Sequence, residues 1–214
     1  MLNSGYLISF EGGEGTGKST QIDLLSRRLK EAGCEVVVTK EPGGTRIGEK
    51  IRKILLEIDN KNMDSFTELL LYTADRAQDL AENIKPALKK GKIVVTDRYI
   101  DSNIIYQGYG RKIDRRKIRK LNNWIAAEYW PDLTILLDIE VEKGLKRARN
   151  LSNKEDRLEA EIIDFHRRIR RGYQELAQKE NRIIKFDADK TIEELHSDIW
   201  RKVNEQLTVD RNDK

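Results

Sequence analysis

Leu7-Ile8-Ser9-Phe10-Glu11-Gly12-Gly13-Glu14-Gly15-Thr16-Gly17-Lys18-Ser19-Thr20 is the stretch whose reading decides the fold. Its first half is an apolar, partly β-branched run that reads as a buried strand. Its second half breaks into glycines and then into the helical spacing of Ile22, Leu25 and Leu29. Gly12 to Ser19 fits G-x-x-x-x-G-K-[ST], the phosphate-binding loop, in the strand-to-helix context that the motif requires. The residue types follow from the chemistry. Glycines let backbone N–H groups turn inward around phosphate oxygens, Lys18 adds a cation for the outer phosphates, and Ser19 can ligate Mg²⁺. The helix that follows points its positive end at the same spot.

Composition bounds the rest. A chain of 214 residues, 38% of them hydrophobic, can bury one sizeable core without metal or disulfide staples. The 41 basic and 37 acidic residues are interleaved, with no run of Lys or Arg projecting as an arm, so a nucleic-acid partner is not expected. The single cysteine, Cys34, excludes an internal disulfide and fits a small core residue in a reducing compartment. The N-terminus shows no secretory pattern and no apolar run reaches membrane-spanning length, so a cytoplasmic protein without membrane contact is expected.

Strand and helix patterns alternate along the chain. Gly33 sits at a helix C-cap, and Glu35–Thr39 is a β-branched second strand running into the loop Lys40-Glu41-Pro42-Gly43-Gly44-Thr45. Helices are expected over Gly48–Leu56 and from Asp64-Ser65 to Leu80. Lys92–Asp97 is a third strand that delivers Asp97-Arg98-Tyr99 to its carboxyl end, the edge where ligands of open α/β sheets bind. A glycine-spotted segment, Tyr106–Arg111, leads to a helix capped by Asp114 and stopped by Pro131. Leu133–Asp138 is the most apolar strand. After it come a helix over Glu140–Arg149, a polar connection over Asn150–Arg157, a long helix over Glu159–Lys179, a strand over Arg182–Asp187 and a closing helix over Thr191–Gln206. Strands separated by helices of this length predict an α/β fold with a parallel five-stranded sheet covered on both faces. One domain over residues 1–208 and a polar tail over 209–214 are expected.

Phe10-Glu11-Gly12 with the phosphate loop, Glu41-Pro42-Gly43-Gly44-Thr45, Tyr72-x-x-Asp75-Arg76, and Asp97-Arg98-Tyr99-x-Asp101-Ser102 with Tyr106-Gln107-Gly108 together resemble thymidylate kinases of the bacterial kind. The resemblance runs from the first strand to about Gln206. The loop alone would indicate only a superfamily; the further motifs, in the family's order and spacing, are specific. The resemblance implies transfer of the γ-phosphoryl group of ATP to dTMP with Mg²⁺, by a homodimeric enzyme. The apolar face of Ser65–Leu80 is the candidate interface.

Phosphoryl transfer leaves the protein little covalent work, so positioning and charge stabilisation must dominate. Gly12, Gly13, Glu14, Gly15, Thr16, Gly17, Lys18, Ser19 and Thr20 are the candidate ATP-binding residues. Ser19 and Asp97 are candidates for magnesium, Asp97 holding a bound water from its strand end. Arg98 offers a planar fork for the acceptor phosphate. By resemblance, Arg52 is a second phosphate contact and Glu14 points at the deoxyribose 3′-hydroxyl. The resemblance also implies that Tyr72 stacks on the base, that Arg76 bonds it with Asn103 and Gln107 near its edge, and that Tyr106 lies near the sugar. Tyr72 and Arg76 are one helical turn apart and can face one pocket. The connection 147–158 resembles a mobile lid. Gly15 stands where related enzymes carry a loop arginine, and Arg149 and Arg157 are the candidate catalytic replacements.

Three rivals share parts of this pattern. A GTP-binding switch would share the loop, and Asn153-Lys154-Glu155-Asp156 spells a guanine-recognition string; yet it does not end a buried strand, and no D-x-x-G occurs. A deoxynucleoside kinase would accept a hydroxyl where dTMP carries a phosphate, and the Arg52 and Arg98 pair argues against it. A nucleic-acid-stimulated ATPase would need a basic and aromatic groove pattern that is absent.

Overall fold

In the computed structural model, which describes residues 5–151 and 156–212, strand β1 (Tyr6–Gly12) is buried at every position. It lies at the centre of a five-stranded sheet of order β2-β3-β1-β4-β5, with β2 at Val36–Lys40, β3 at Ile93–Asp97, β4 at Leu133–Asp138 and β5 at Ile183–Asp187. All four pairings are parallel. Successive side chains of β1 point to opposite faces. Tyr6, Ile8 and Phe10 pack against α1 (Lys18–Glu31) and α9 (Ile192–Asn212) through Leu25, Leu29, Ile199 and Val203. Leu7 joins Leu80, Ile84, Val94 and Tyr99 on the other face. Register brings Phe10 beside Asp97 and Gly12 beside Leu137, so the phosphate loop starts between the carboxyl ends of β3 and β4.

Side-chain caps set several helix starts. Asp64 accepts from the N–H groups of Phe66 and Thr67 to open α3 (Ser65–Asp79), and Asp114 caps α6 (Arg115–Ala126). Thr45 accepts from Gly48 N at 2.9 Å, so α2 spans Arg46–Leu56 and begins two residues before the sequence reading placed it. α3 continues through a π-helical turn at Leu80–Ile84 into α4 (Lys85–Lys89). Further along, α7 spans Val141–Leu151 and α8 Ile163–Ala177.

Four expectations shift. The glycine-spotted segment is helical: α5 (Ile100–Ser102) runs into a π-helical turn at Asn103–Gly110. Its glycines serve close packing, since a Cβ at Gly108 would lie 2.8 Å from the Arg115 side chain and one at Gly110 only 2.6 Å from the Phe165 ring. Pro131 does not stop α6, which ends at Ala126 where Ala127 turns to φ 48°. α8 starts at Ile163 rather than Glu159, after turns over 157–160. α9 continues to Asn212, through most of the stretch read as a polar tail. Residues 152–155, which include most of the guanine-like string and the middle of the proposed lid, lie outside the described residues.

Candidate active site

The loop between β1 and α1 is held open by backbone approaches that allow no side chain. Gly12 has φ 143°, and a Cβ there would lie 2.4 Å from Leu137 O. Gly15 has φ 64°, and its Cβ would lie 1.9 Å from Gly144 O of α7. The second approach explains Gly15 physically: an arginine cannot stand there while α7 is packed against the loop. α1 opens directly on Lys18 and has no acidic residue in its first turn, which leaves its positive end for an anion. Lys18 Nζ donates to Gly13 O at 2.9 Å and to Gly12 O at 3.3 Å. Burial and the nearby Arg98 charge lower its pKa.

Ser19 and Asp97 meet beside this loop. Ser19 Oγ lies 3.5 Å from Asp97 Oδ2, while Asp97 Oδ1 is buried and has no hydrogen-bond partner. A buried carboxylate oxygen left open next to a hydroxyl fits a hard cation or its bound water.

The residue after Asp97 forms one end of the cavity. Arg98 is a non-glycine residue at φ 67°, a conformation that costs roughly 1–3 kcal/mol unless its surroundings enforce it. They do so here: Arg98 N donates to Phe10 O at 2.9 Å, and Thr96 Oγ1 donates to Arg98 O at 2.7 Å. The guanidinium donates to Gly12 O at 3.0 Å and Glu14 Oε1 at 2.8 Å and lies 4.8 Å over the Tyr106 ring. Tyr106 OH also donates to Glu14 Oε1, at 2.7 Å. Burial pushes Glu14 up, but Arg98, Lys18 and the Tyr106 hydroxyl outweigh it and bring it down to about 2. Arg52, half-buried on α2, donates to Pro42 O at 2.9 Å and lines the same cavity.

The other end is built on α3. Arg76 is 1% exposed; its Nε donates to Glu41 Oε2 at 2.7 Å and its Nη2 to Tyr99 O at 2.9 Å. Its Nη1 is buried without a partner, as is Asn103 Oδ1. Tyr72 stands one turn before Arg76, and Gln107 Nε2 is held by Glu68 Oε1 at 2.9 Å. Burial pushes Glu41 well above the ordinary carboxylate range; Arg76 opposes this, and the charges of Asp79 and Asp75 add to it.

Both ends face one cavity of about 420 Å³. It is lined by Glu14, Gly15, Thr16, Gly17, Lys18, Ser19, Thr20, Arg52, Tyr72, Arg76, Asp97, Arg98, Asn103, Tyr106 and Gln107, so the sequence-predicted donor and acceptor residues converge there. Gly12 and Gly13 supply the carbonyls behind it. The lid arginines do not reach it. Arg157 is buried, with Nη1 on Glu68 Oε2 at 2.7 Å and Nε on Leu55 O at 2.7 Å. Arg149 is exposed on α7 and lines a separate surface hollow with Glu142, Lys146 and Glu161. From this region the cavity wall takes Ala148, Asp156, Leu158 and Glu159 instead. Sequence reasoning gave no role to Glu41, Glu68 or Glu11, the carboxylates that hold the site arginines and their neighbours. For Glu11 and Glu68 the signal was a charged residue in an otherwise apolar run or on a helix with an apolar face; Glu41, in a loop between Lys40 and Pro42, carried no such signal.

A phosphate loop on a central parallel strand, opening into a cavity with two arginines at one end and a polar pocket at the other, defines a phosphate-loop phosphotransferase with a nucleotide acceptor. The family model described as thymidylate kinase matches residues 10–199. The thymidylate kinase of Halothermothrix orenii is 54% identical over 201 residues, covering 93% of this chain and 96% of that protein. That of Maridesulfovibrio salexigens is 50% identical over 210 residues, covering 95% and 97%. The crystal structure of thymidylate kinase from Ehrlichia chaffeensis superposes with a TM-score of 0.77 at 33% identity, covering 94% of this chain and 99% of that one. The chain belongs to the thymidylate kinase family, and its reaction is phosphorylation of dTMP by ATP.

Proposed function

We propose that the cavity binds dTMP with its phosphate at Arg98 and Arg52 and its base at Arg76, while the loop from Gly12 to Thr20 holds the ATP phosphates. The observation that carries this reading is Arg98. Its strained, fully pinned backbone aims a guanidinium across the mouth of the phosphate loop, between the donor site and the acceptor cavity. Lys18, now spent on loop carbonyls, exchanges them for phosphate oxygens. Both cations act on charge that grows as the phosphoryl group passes between two anions. The unpartnered Arg76 Nη1 and Asn103 Oδ1 offer one donor and one acceptor to the base edge, with Tyr72 for stacking. Glu14 and Tyr106 take the sugar.

Magnesium is the cofactor in this reading, with Ser19 and Asp97 as its protein partners; bound with ATP, it neutralises phosphate charge. Among the described residues no group of three or more His, Cys, Asp or Glu side chains is arranged to hold a metal, which agrees with an ion carried mainly by the triphosphate. A cytoplasmic setting fits a sequence whose single cysteine, Cys34, has no second cysteine to form a disulfide with. No helix among the described residues is long and apolar enough to cross a membrane. A homodimer fits the exposed Ile47 and Ile54 of α2 and Phe66 and Leu70 of α3, an apolar face that a second copy would cover. Sedimentation of Phe66→Asp against the unmodified chain checks this, with a shift to monomer expected.

The test of the function is a coupled ADP-release assay with ATP, Mg²⁺ and a panel of dTMP, dUMP, dCMP, dGMP, UMP and thymidine. dTMP is expected to be the best acceptor. Thymidine phosphorylated as well as dTMP would overturn the acceptor-phosphate reading.

A further inference from the structure

Glu11 is a carboxylate with no exposed surface, set in a strand whose other residues are apolar or small. The proposed chemistry does not use it, and it is not itself among the residues that line the cavity, although its partner Ser102 is. Its contacts are nonetheless specific. Oε1 accepts from Tyr99 N at 2.9 Å, and Oε2 accepts from Ser102 Oγ and Tyr173 OH, each at 2.7 Å. The central strand, the turn after β3 and helix α8 therefore meet on one side chain. Burial and the Asp101 charge push its pKa up, while Tyr173, Arg98 and Ser102 pull the other way.

The Tyr99 N–H belongs to the peptide that leaves Arg98. Phe10 O holds the N–H of Arg98, so two adjacent residues of β1 hold the peptide groups on both sides of this left-handed residue. A residue kept in a sparsely populated conformation needs such over-determination. Thr96 Oγ1 holds the carbonyl of the same peptide at 2.7 Å, so this peptide has two anchors; without the Glu11 anchor it can tilt about the remaining one, and the guanidinium then shifts from its place between Gly12 O and Glu14. We infer that Glu11 is a positioning residue for phosphoryl transfer, fixing through Tyr99 N–H the backbone conformation that aims Arg98 at the transferring group. The inference rests on the reading of Arg98 given above.

The test is a double-mutant cycle with Arg98→Ala, using kcat and the KM values for ATP and dTMP on folded protein. Glu11→Leu removes the acceptor at similar volume. In the otherwise unmodified chain it is expected to lower kcat at least ~10-fold with little change in the KM for ATP, and in the Arg98→Ala background by less than ~2-fold, because the residue it positions is already gone. Glu11→Gln keeps an oxygen for Tyr99 N–H and turns its amide to hydroxyls that can accept, so it should restore kcat to within ~3-fold. Equal losses in both backgrounds, or a folded Glu11→Leu with unchanged kcat, would overturn the inference. Should Glu11→Leu not fold, Tyr173→Phe removes one of the three donors with little change in volume. Its loss, about 2–5-fold, should vanish in the Arg98→Ala background, and its persistence there counts against the inference equally. An Arg98→Ala chain with normal turnover would instead refute the Arg98 reading itself, a distinguishable result.

Discussion

Two carboxylate–arginine pairs face the same cavity at nearly the same distance, Arg98–Glu14 at 2.8 Å and Arg76–Glu41 at 2.7 Å, yet their carboxylates move in opposite directions. Glu14 falls to about 2 and Glu41 rises well above the ordinary range. Distance does not separate them; the neighbours do. Arg98 has Lys18 close by, so Glu14 is a single anion between two cations. Arg76 has Glu41, Asp75 and Asp79 near it in a dry interior, so three carboxylates crowd one buried cation, and only Asp75 also feels Arg52. The Arg98 end of the cavity, with Lys18, Arg52 and Arg98 against Glu14 and Asp97, thus carries surplus positive charge, and the Arg76 end none to spare. A nucleotide has the same polarity, with its charge on the phosphate and a neutral ring at the other end. An ion pair in a binding site is best read by the net charge around it.

The largest break in this comparison comes from the positive end. Lys18→Ala should lower kcat by about 10²–10³-fold while leaving the thermal melt nearly unchanged, since it removes charge aimed at the transferring phosphoryl and empties no core position. Steady-state kinetics and calorimetric melting check both halves. A folded variant with near-normal turnover would remove the loop from the chemistry.

Arg157 sharpens the contrast next, because its partner Glu68 belongs to the Arg76 end. Glu68 is 1% exposed on its side chain and is also held by Arg111 and Gln107. Arg157→Ala should therefore cost about 1.5–3 kcal/mol of stability and weaken dTMP, whereas Arg149→Ala, on an exposed helix face, should stay within about 0.5 kcal/mol. Chemical unfolding of the two variants decides it. A stable Arg157→Ala with only kcat reduced would return this arginine to the transferring phosphoryl.

The smallest effect is in the pH dependence. Glu14 has a folded pKa of about 2, below its ordinary 4.5, so its contribution to stability is complete above 4.5 and drains as pH falls toward 2. Asp75 is pushed up to about 6 by burial, above its ordinary 3.8. Its charge costs stability above pH 6, and that cost is relieved as pH falls from 6 toward 3.8. Each limb should amount to something on the order of 2 kcal/mol. Asp75→Asn keeps an oxygen for Gly43 N and should flatten the limb between 6 and 4; Glu14→Gln should flatten the one below 4.5. Unfolding curves from pH 3 to 8 measure it, and an Asp75→Asn profile parallel to the unmodified chain's would contradict the assignment.

The sequence carried most of this fold because its signals were local. β4 is read residue for residue at Leu133–Asp138, and Asp64 and Asp114 mark helix starts through side-chain oxygens that bind the first free N–H groups. Gly108 and Gly110 left their segment without an assigned element because glycine is ambiguous in sequence. The same residue type serves a loop or, as here, a helix pressed against Arg115 and Phe165. The phosphate loop and the Asp97-Arg98 pair were each legible as a contiguous motif. The carboxylates that orient the arginines were not, since Glu41 and Arg76, or Glu68 and Arg157, meet only across the fold. Arg157 shows the same gap: its residue type suits a phosphate, and in this structure it sits on the buried carboxylate of Glu68.

The polarity of the cavity is tested most directly by calorimetric titration of dTMP and of thymidine into the unmodified chain, Arg52→Ala and Arg98→Ala. Charge-assisted contacts to a phosphate are worth about 1.5–3 kcal/mol each, so each substitution should weaken dTMP roughly 10–150-fold, with Arg98→Ala also reducing turnover. Thymidine, lacking the phosphate, should bind weakly and alike to all three. If thymidine loses affinity in the two variants as steeply as dTMP does, the arginines are not holding the acceptor phosphate, and the charge division between the two ends of the cavity does not govern binding.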